Sequence, residues 1–182
     1  MIKVYDDYLD KKNLDKIIET INSPFFPFYY CERIVRNTDD PYQFYHRLIG
    51  IENYDSSIPI RENQFTISNE MHNFKSLFFD LRKNFDVSIF MRATINFLVP
   101  HPEFKKQHHT PHIDIDDTPH EVFLLYLNDS DGDTFFFKNS KILQTVSPKR
   151  NRLVLFDGSI LHSSSSPVKN NKRQVINIDF QR

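Results

Sequence analysis

Four residues of this sequence have the types and order to do chemistry together: His112, Asp114, His162 and Arg173. A histidine and an aspartate two positions apart on a strand point to one side. A second histidine arriving from another strand would place three ligands on one face of a metal. Two imidazoles and a carboxylate leave positions open for an organic co-substrate and oxygen, and they suit Fe(II). Zn(II) accepts the same ligands. His162 follows the apolar run Leu153-Val154-Leu155-Phe156 and the Asp157-Gly158 turn, at a strand end. Arg173 lies on the next strand, across the Asn170-Asn171 turn. An arginine there can grip a carboxylate through two parallel hydrogen bonds, so that a dicarboxylate reaches from guanidinium to metal. Tyr126 can add a phenolic donor to the distal carboxylate, and Asn177 shares the strand parity of Arg173.

Taken singly, each residue has a plainer reading. His112 and Asp114 sit in a stretch that His108, His109, Asp116 and Asp117 make generally polar. His162 adjoins Ser163-Ser164-Ser165-Ser166, and Arg173 is flanked by Lys169 and Lys172. Tyr126 reads equally well as a buried strand tyrosine. The plain readings do not account for the order of the whole series.

The elements that must position these residues are legible from periodicity. A short strand is expected over 2–5, then a helix over 13–22 with Asp10 as N-cap, Leu14, Ile17, Ile18 and Ile21 on one face and Ser23-Pro24 as its stop. The aromatic run Phe25 to Tyr30 reads as core or as a strand leaving a turn. Residues 32–65 are poorly patterned apart from a strand at 44–49 and a polar loop from Asn53 to Pro59; His46 reads as a structural histidine. A second helix is expected over 69–84, with Met71, Phe74, Leu77, Phe78 and Leu81 as its apolar face. From Val87 onward the chain reads as strands, at 88–99, 121–128, 134–137, 142–146, 152–156 and 174–180. The first of these puts Arg92, Thr94 and Asn96 on one polar face, as expected of a cavity wall. Helices followed by short strands indicate an α+β chain whose β-sandwich or barrel carries the site.

Composition sets outer limits. The 182 residues are expected to form one domain, with 1–86 mostly helical support and substrate-side segments and 87–182 the β core. Eighteen Phe and 8 Tyr make the core aromatic-rich, and the 3 Gly are expected at turns. With 23 basic against 24 acidic residues there is no overall pull toward nucleic acid or an anionic membrane. One cysteine, Cys31, excludes an internal disulfide and a thiolate metal cage and fits a reducing cytoplasm. No signal peptide, bilayer-length apolar run, internal repeat or low-complexity segment is found in the sequence.

From about Arg92 to Phe180 the sequence resembles the 2-oxoglutarate/Fe(II)-dependent dioxygenase superfamily, on its prolyl-4-hydroxylase-like side. The resemblance is carried by His112-Ile113-Asp114, Tyr126-Leu127-Asn128, Asp131-Gly132-Asp133-Thr134, Pro148-Lys149-Arg150-Asn151-Arg152-Leu153-Val154-Leu155-Phe156, His162 and Arg173, in that order. Phe25 to Tyr30 and the Arg92/Asn96 pair are similar to small oxygenases encoded by marine bacteriophages, which would place the protein in a host cytoplasm. The resemblance implies a double-stranded β-helix (jelly-roll, cupin-like) with N-terminal helices packed on one sheet. It implies His112, Asp114 and His162 as iron ligands and Arg173, Tyr126, Asn177 and Asn96 on the co-substrate side. Fe(II), 2-oxoglutarate and O2 are the implied cofactor and co-substrates, with ascorbate as an accessory reductant. The implied reaction is decarboxylation to succinate and CO2 coupled to hydroxylation of a C–H bond. Two positions depart from the family pattern: Asp131 and Asn171-Lys172 stand where glycines are usual, and Asp and Asn tolerate the left-handed backbone such turns use.

Substrate is less legible, because fold and cofactor do not set it. A peptide or protein, prolyl or otherwise, is the first expectation, and a small metabolite the second. Arg92, His109, Phe28 and Tyr30 are the candidate substrate-side residues, from the loop 100–111 and the aromatic run flanking the His112 segment. A non-catalytic β-helix binding module and a zinc hydrolase on the same ligands remain as rivals, although no His-Glu-x-x-His pattern is present. Oligomeric state is not encoded in any feature of the sequence.

Overall fold

The structure is a computed structural model that describes residues 1–52, 54–116 and 118–182. Asn53, which opens the expected polar loop, and Asp117, in the polar stretch after Asp114, lie outside the described residues. Helix α1 (Lys11–Ile21) buries Leu14, Ile17 and Ile21 along one face. Asp10 caps it by accepting the Asn13 N–H at 2.9 Å. The helix expected over 69–84 divides in two. Ser68 caps a tighter 3-10 segment, Asn69–Phe74, through the Glu70 N–H, and the α-helical part, α2 (Lys75–Asn84), follows. The helical apolar stripe survives the change of pitch, because Phe74, Leu77, Phe78 and Leu81 are all buried.

The strands are β1 (Ile2–Tyr5), β2 (Tyr29–Cys31), β3 (Gln43–Glu52), β4 (Gln64–Ile67), β5 (Ile89–Leu98), β6 (Glu121–Tyr126), β7 (Thr134–Lys138), β8 (Lys141–Val146), β9 (Leu153–Asp157), β10 (His162–Ser164) and β11 (Arg173–Gln181). They build a larger sheet ordered β1-β9-β6-β11-β5-β3-β2, with β4 on β3, and a smaller one ordered β10-β7-β8. The pairs along both sheets are antiparallel. The α+β expectation therefore resolves to a mostly antiparallel β protein with few helices.

Alternation along the central strands creates two cores on opposite faces of the larger sheet. One face turns Ile95, Phe123, Leu125, Leu155, Ile176 and Ile178 onto α1 and α2. The other turns Val122, Leu124, Tyr126, Val154, Phe156 and Val175 onto Phe136 and Val146 of the smaller sheet. The smaller sheet covers β6, β9 and the start of β11 and stops there. Beyond its edge, Tyr45, Arg47, Arg92, Thr94, Asn96 and Asn177 on the same face line an open cleft of about 700 Å³.

The aromatic run does not act as one unit: Phe26 is buried, while Phe25 is 91% exposed and Tyr30 on β2 is 61% exposed. Strand β4 was hidden in the unpatterned stretch, since it is mostly exposed and its extended form is set by pairing with β3 and not by an alternating sequence. Of the three glycines, Gly158 lies in a turn as expected, whereas Gly50 lies within β3. None has positive φ; Gly158 also makes room for the His120 ring, whose Nε2 would lie 2.2 Å from an added Cβ. Among the described residues, no helix is long and apolar enough to cross a membrane.

Candidate metal centre

His112, Asp114 and His162 converge, with one ligand atom from each within 4.8 Å of the others. The route differs from the strand geometry expected of a His-x-Asp pair. Asp114 lies on a bend, and His112 has a single antiparallel bridge, to His162 on β10. The His112 N–H donates to the His162 carbonyl at 2.9 Å and the His162 N–H returns the bond at 3.0 Å. Sequence parity thus gives way to a direct backbone link between the two histidines. Asp40, 1% exposed, anchors the segment further back by accepting from the Thr110 N–H at 2.9 Å and the Thr110 hydroxyl at 3.0 Å.

Both imidazoles are oriented for ligation. Nδ1 of His112 donates to the Thr110 carbonyl and Nδ1 of His162 to the Ile160 carbonyl, each at 3.1 Å. A carbonyl can only accept, so the proton is assigned to Nδ1 and the lone pair to Nε2. Backbone bonds of this kind fix tautomer and ring direction at metal sites. On the third ligand, Asn177 Nδ2 donates to Asp114 Oδ2 at 3.1 Å, and Arg92 Nη2 pairs with Asp114 Oδ1. Arg92 Nε also donates to the buried Asp179 at 2.7 Å.

The ionisation states follow from these contacts. Burial opposes a charge on Asp114, but Arg92, His162 and His112 outweigh it and hold the carboxyl well below the usual range. Burial opposes a charge on His162 too, yet hydrogen-bond and charge contact with Asp114 raise its pKa. His112 moves the other way, lowered by burial and then by His162. Asp114 therefore draws a cation to its neighbourhood, either a proton on His162 or a metal. Metal binding at this site must compete with that proton.

Arg173, at the start of β11, is 3% exposed and forms no ion pair among the described residues. Its Nε donates to the Gly132 carbonyl and its Nη2 to Thr134 Oγ1, both at 2.8 Å, and it lines the cleft. Burial depresses its pKa. A buried guanidinium held by neutral oxygens and one aromatic ring is costly unless an anion completes its shell. Gly132 is required beside it, because an added Cβ would lie 2.6 Å from the Ser165 carbonyl and 3.0 Å from Arg173 Cδ. The Asp131 carboxylate accepts from the backbone N–H groups of Val168, Lys169 and Asn170, tying down the turn before Arg173. Asp131 and Asn171 do not adopt the left-handed backbone allowed for them; Asp131 shapes the turn by hydrogen bonding instead.

The remaining candidate residues separate by position. Asn177 and Asn96 line the cleft, and Asn177 Oδ1 and Thr94 Oγ1 are buried without a hydrogen-bond partner among the described residues. Tyr126 is fully buried beneath the Arg173 guanidinium, and its hydroxyl is spent on Thr134 at 2.6 Å. It acts on the cleft through Arg173, which lies over its ring, and through Thr134, whose Oγ1 also receives Arg173. Arg92 lines the cleft, but its guanidinium is committed to Asp114 and Asp179. His109 is placed elsewhere: it is fully buried, with Ser164 Oγ 2.9 Å from Nδ1 and Ser166 Oγ 3.0 Å from Nε2, and burial followed by the Arg173 charge lowers its pKa to about 3. Phe28 packs edge-on against Phe26 and Phe97, and Tyr30 lies on β2 against Tyr42 and Phe44. None of these three lines the cleft.

Thr134 and Asp179 are the site neighbours the sequence reading passed over. Asp179 was within reach, since Arg173, Asn177 and Asp179 share one strand parity. Thr134 carried only its place after Gly132 as a signal. The donor set, two Nε2 lone pairs and a charge-paired carboxylate, fits a divalent metal with open positions. The unpaired Arg173 fits a carboxylate beside it.

No protein-family model and no curated relative matches the sequence. Solved structures do match in fold. The chain is similar to an oxidoreductase of the 2OG-Fe(II) oxygenase family from Burkholderia pseudomallei, at a TM-score of 0.72 and 11% identity over 99% of this chain and 85% of that one. It is similar to a prolyl hydroxylase from Trichoplax adhaerens in complex with a hypoxia-inducible-factor oxygen-degradation-domain peptide, at 0.64 and 13% over 98% and 82%. A non-heme alpha-ketoglutarate-dependent epimerase of nogalamycin biosynthesis matches at 0.63 and 10% over 99% and 78%. The sheets and helices around His112, Asp114 and His162 thus have the fold seen in these 2OG-Fe(II) oxygenase structures.

Proposed function

We propose that this chain is a 2-oxoglutarate- and Fe(II)-dependent dioxygenase, built as one double-stranded β-helix domain, that hydroxylates a C–H bond of a peptide. The observation that carries the reading is the pairing of two features in one cleft: three convergent ligand atoms and a buried arginine without a carboxylate partner among the described residues. His112, Asp114 and His162 would hold Fe(II), while Arg173 and Thr134 would hold the distal carboxylate of 2-oxoglutarate. When bound, iron, 2-oxoglutarate and O2 supply an oxidant able to attack an unactivated C–H bond, with succinate and CO2 as co-products.

Charge closure supports this assignment. Asp114 and Asp179 bring two negative charges and Arg92 and Arg173 two positive ones. A divalent metal adds two positive charges, and a dicarboxylate cancels them. Arg92 and Asn177 keep the Asp114 oxygens from rotating, and His112 and His162 keep Nε2 aimed inward through their Nδ1 bonds. Leu98, Leu124 and Val175 give the cleft an apolar floor that limits water around the reacting atoms. The open cleft, together with a fold neighbour that holds a peptide, favours a peptide substrate. The epimerase neighbour favours a small metabolite as the second reading.

The test is anaerobic titration of the metal-free protein with Fe(II) and then 2-oxoglutarate. A weak visible charge-transfer band that is absent in Asp114→Ala supports the reading. Fe(II) binding with no band on adding 2-oxoglutarate removes the co-substrate assignment and returns the zinc-hydrolase and binding-module alternatives.

A further inference from the structure

We propose that Arg47 and Arg36 form an anion subsite in the outer wall of the cleft, which selects a peptide with an acidic side chain near the residue to be oxidised. This inference rests on the oxygenase reading and adds a substrate class to it. Arg47 pairs with Thr94 across β3 and β5, and Thr94 pairs with Asn177 across β5 and β11. The three residues stand at one level of the sheet and all face the cleft. Two strand spacings, about 10 Å, separate the backbone of Arg47 from that of Asn177, whose amide holds the metal-ligand carboxylate of Asp114. A ligand group at Arg47 would therefore lie about three residues of extended peptide from the reacting position.

The arginines of the cleft are not equivalent. Arg92 is saturated by Asp114 and Asp179, and Arg33 has Glu32 at 3.5 Å. Arg173 faces the place assigned to the co-substrate. Arg36 and Arg47 form no hydrogen bond or ion pair among the described residues, although both line the cleft. Elsewhere on the surface Arg150, Arg152 and Arg182 each have a carboxylate partner. Two unpaired guanidiniums on one wall repel each other, and the Arg47 pKa is depressed first by desolvation, then by Arg92 and, more weakly, by Arg36. Asp116 also lines the cleft and is not ion-paired to either of them.

The position of Arg47 is built by its surroundings. The β3–β5 register shifts between Arg47 and Ile49, and such a bulge re-aims a side chain. Gly50 leaves room for the stem, because an added Cβ would lie 2.7 Å from Arg47 Cδ and 2.9 Å from Thr66 Oγ1. The chain as a whole carries a net charge of −1, which provides no long-range attraction for a polyanion. A single acidic side chain on an otherwise neutral peptide fits this local excess better than a nucleic acid does.

The test uses capped degenerate peptide libraries presented to the protein, with the retained peptides identified by mass. One library contains Glu and Gln at the varied positions, and a second adds phosphoserine. Metal-free protein and protein loaded with Mn(II) and 2-oxoglutarate are compared. Enrichment of Glu over Gln by about tenfold is expected, the lower end of what a charge-assisted hydrogen bond supplies. Arg47→Gln should remove the preference, Arg47→Lys should keep most of it, and Gly50→Ala should weaken it by displacing the Arg47 stem. A still larger preference for phosphoserine supports the subsite and assigns phosphate as its anion. Equal retention of Glu and Gln peptides, retention of none, or a preference that Arg47→Gln leaves intact overturns the proposal. Failure of the oxygenase reading has a separate signature, a missing charge-transfer band, which does not depend on the acid preference of metal-free protein.

Discussion

Arg92 and Arg173 lie on the same cleft-facing side of neighbouring strands, and both guanidiniums are largely withdrawn from water. Their partners differ completely. Arg92 joins Asp114 to Asp179 and has no charge left to offer. Burial opposes its charge, and the two carboxylates outweigh burial and raise its pKa. Arg173 has a carbonyl and a hydroxyl as partners, and burial lowers its pKa. One arginine holds carboxylates that the protein supplies; the other has no carboxylate partner among the described residues. Under the proposed function, the difference separates a residue that would keep the metal ligand in place from one that would recognise a co-substrate.

The largest effect expected from breaking this arrangement is at Asp114. Asp114→Ala removes the one anionic ligand and half of the Arg92 shell, so Fe(II)-dependent 2-oxoglutarate turnover should fall to background in a succinate-release assay. Arg92→Met leaves two buried carboxylates without their cation. Breaking a buried pair from one side costs about 3–5 kcal/mol, so a markedly lowered denaturant midpoint is expected in the metal-free protein. Arg173→Met should behave in the opposite sense. It removes a buried charge that has no carboxylate partner but gives up two hydrogen bonds, so stability should change by no more than about 1 kcal/mol. The 2-oxoglutarate concentration required for the charge-transfer band should meanwhile rise about 100-fold. If Arg173→Met unfolds the protein and Arg92→Met does not, the two roles have been exchanged.

This contrast also shows what sequence order can and cannot reveal. The helices, most of the strands and the order His112, Asp114, His162, Arg173 were legible because periodicity and turn residues report local geometry. The reason offered for His112 and Asp114 was less secure: strand parity places them together in principle, whereas the structure uses a bridge between His112 and His162. Arg92 was legible as polar and cleft-facing, but its ion pairs cross from β5 to β11 and to the Asp114 bend. No spacing rule encodes such pairs. His109, Phe28 and Tyr30 were chosen for flanking the site in sequence, and burial or sheet-edge position takes them away from it. Arg47 lay in the expected strand at 44–49, but the bulge and the glycine that decide its direction leave no periodic signal.

The smallest expected effect tests whether Arg92 serves its two carboxylates equally. Asp114 is held well below the usual carboxylate range, whereas Asp179 is pushed up to about 6, by burial first and by the Asp114 charge as well, with Arg92 opposing. A raised carboxyl pKa means that, from about pH 4 to 6, the folded protein keeps a proton that the unfolded chain has released. Its contribution to stability is therefore present below that window and is lost as pH rises through it. Asp179→Asn cannot titrate. The stability of this variant relative to the parent should thus improve as pH rises from 4 to 6, by about 1–2 kcal/mol for a shift of this size. The measurement is urea unfolding of both metal-free proteins at matched pH values, because a bound divalent cation would itself favour the ionised carboxylate. Parallel curves would mean that Asp179 ionises as readily as Asp114 and that Arg92 is shared evenly. Diverging curves would mean that Arg92 is held chiefly by Asp114, with Asp179 as a buried proton acceptor behind it.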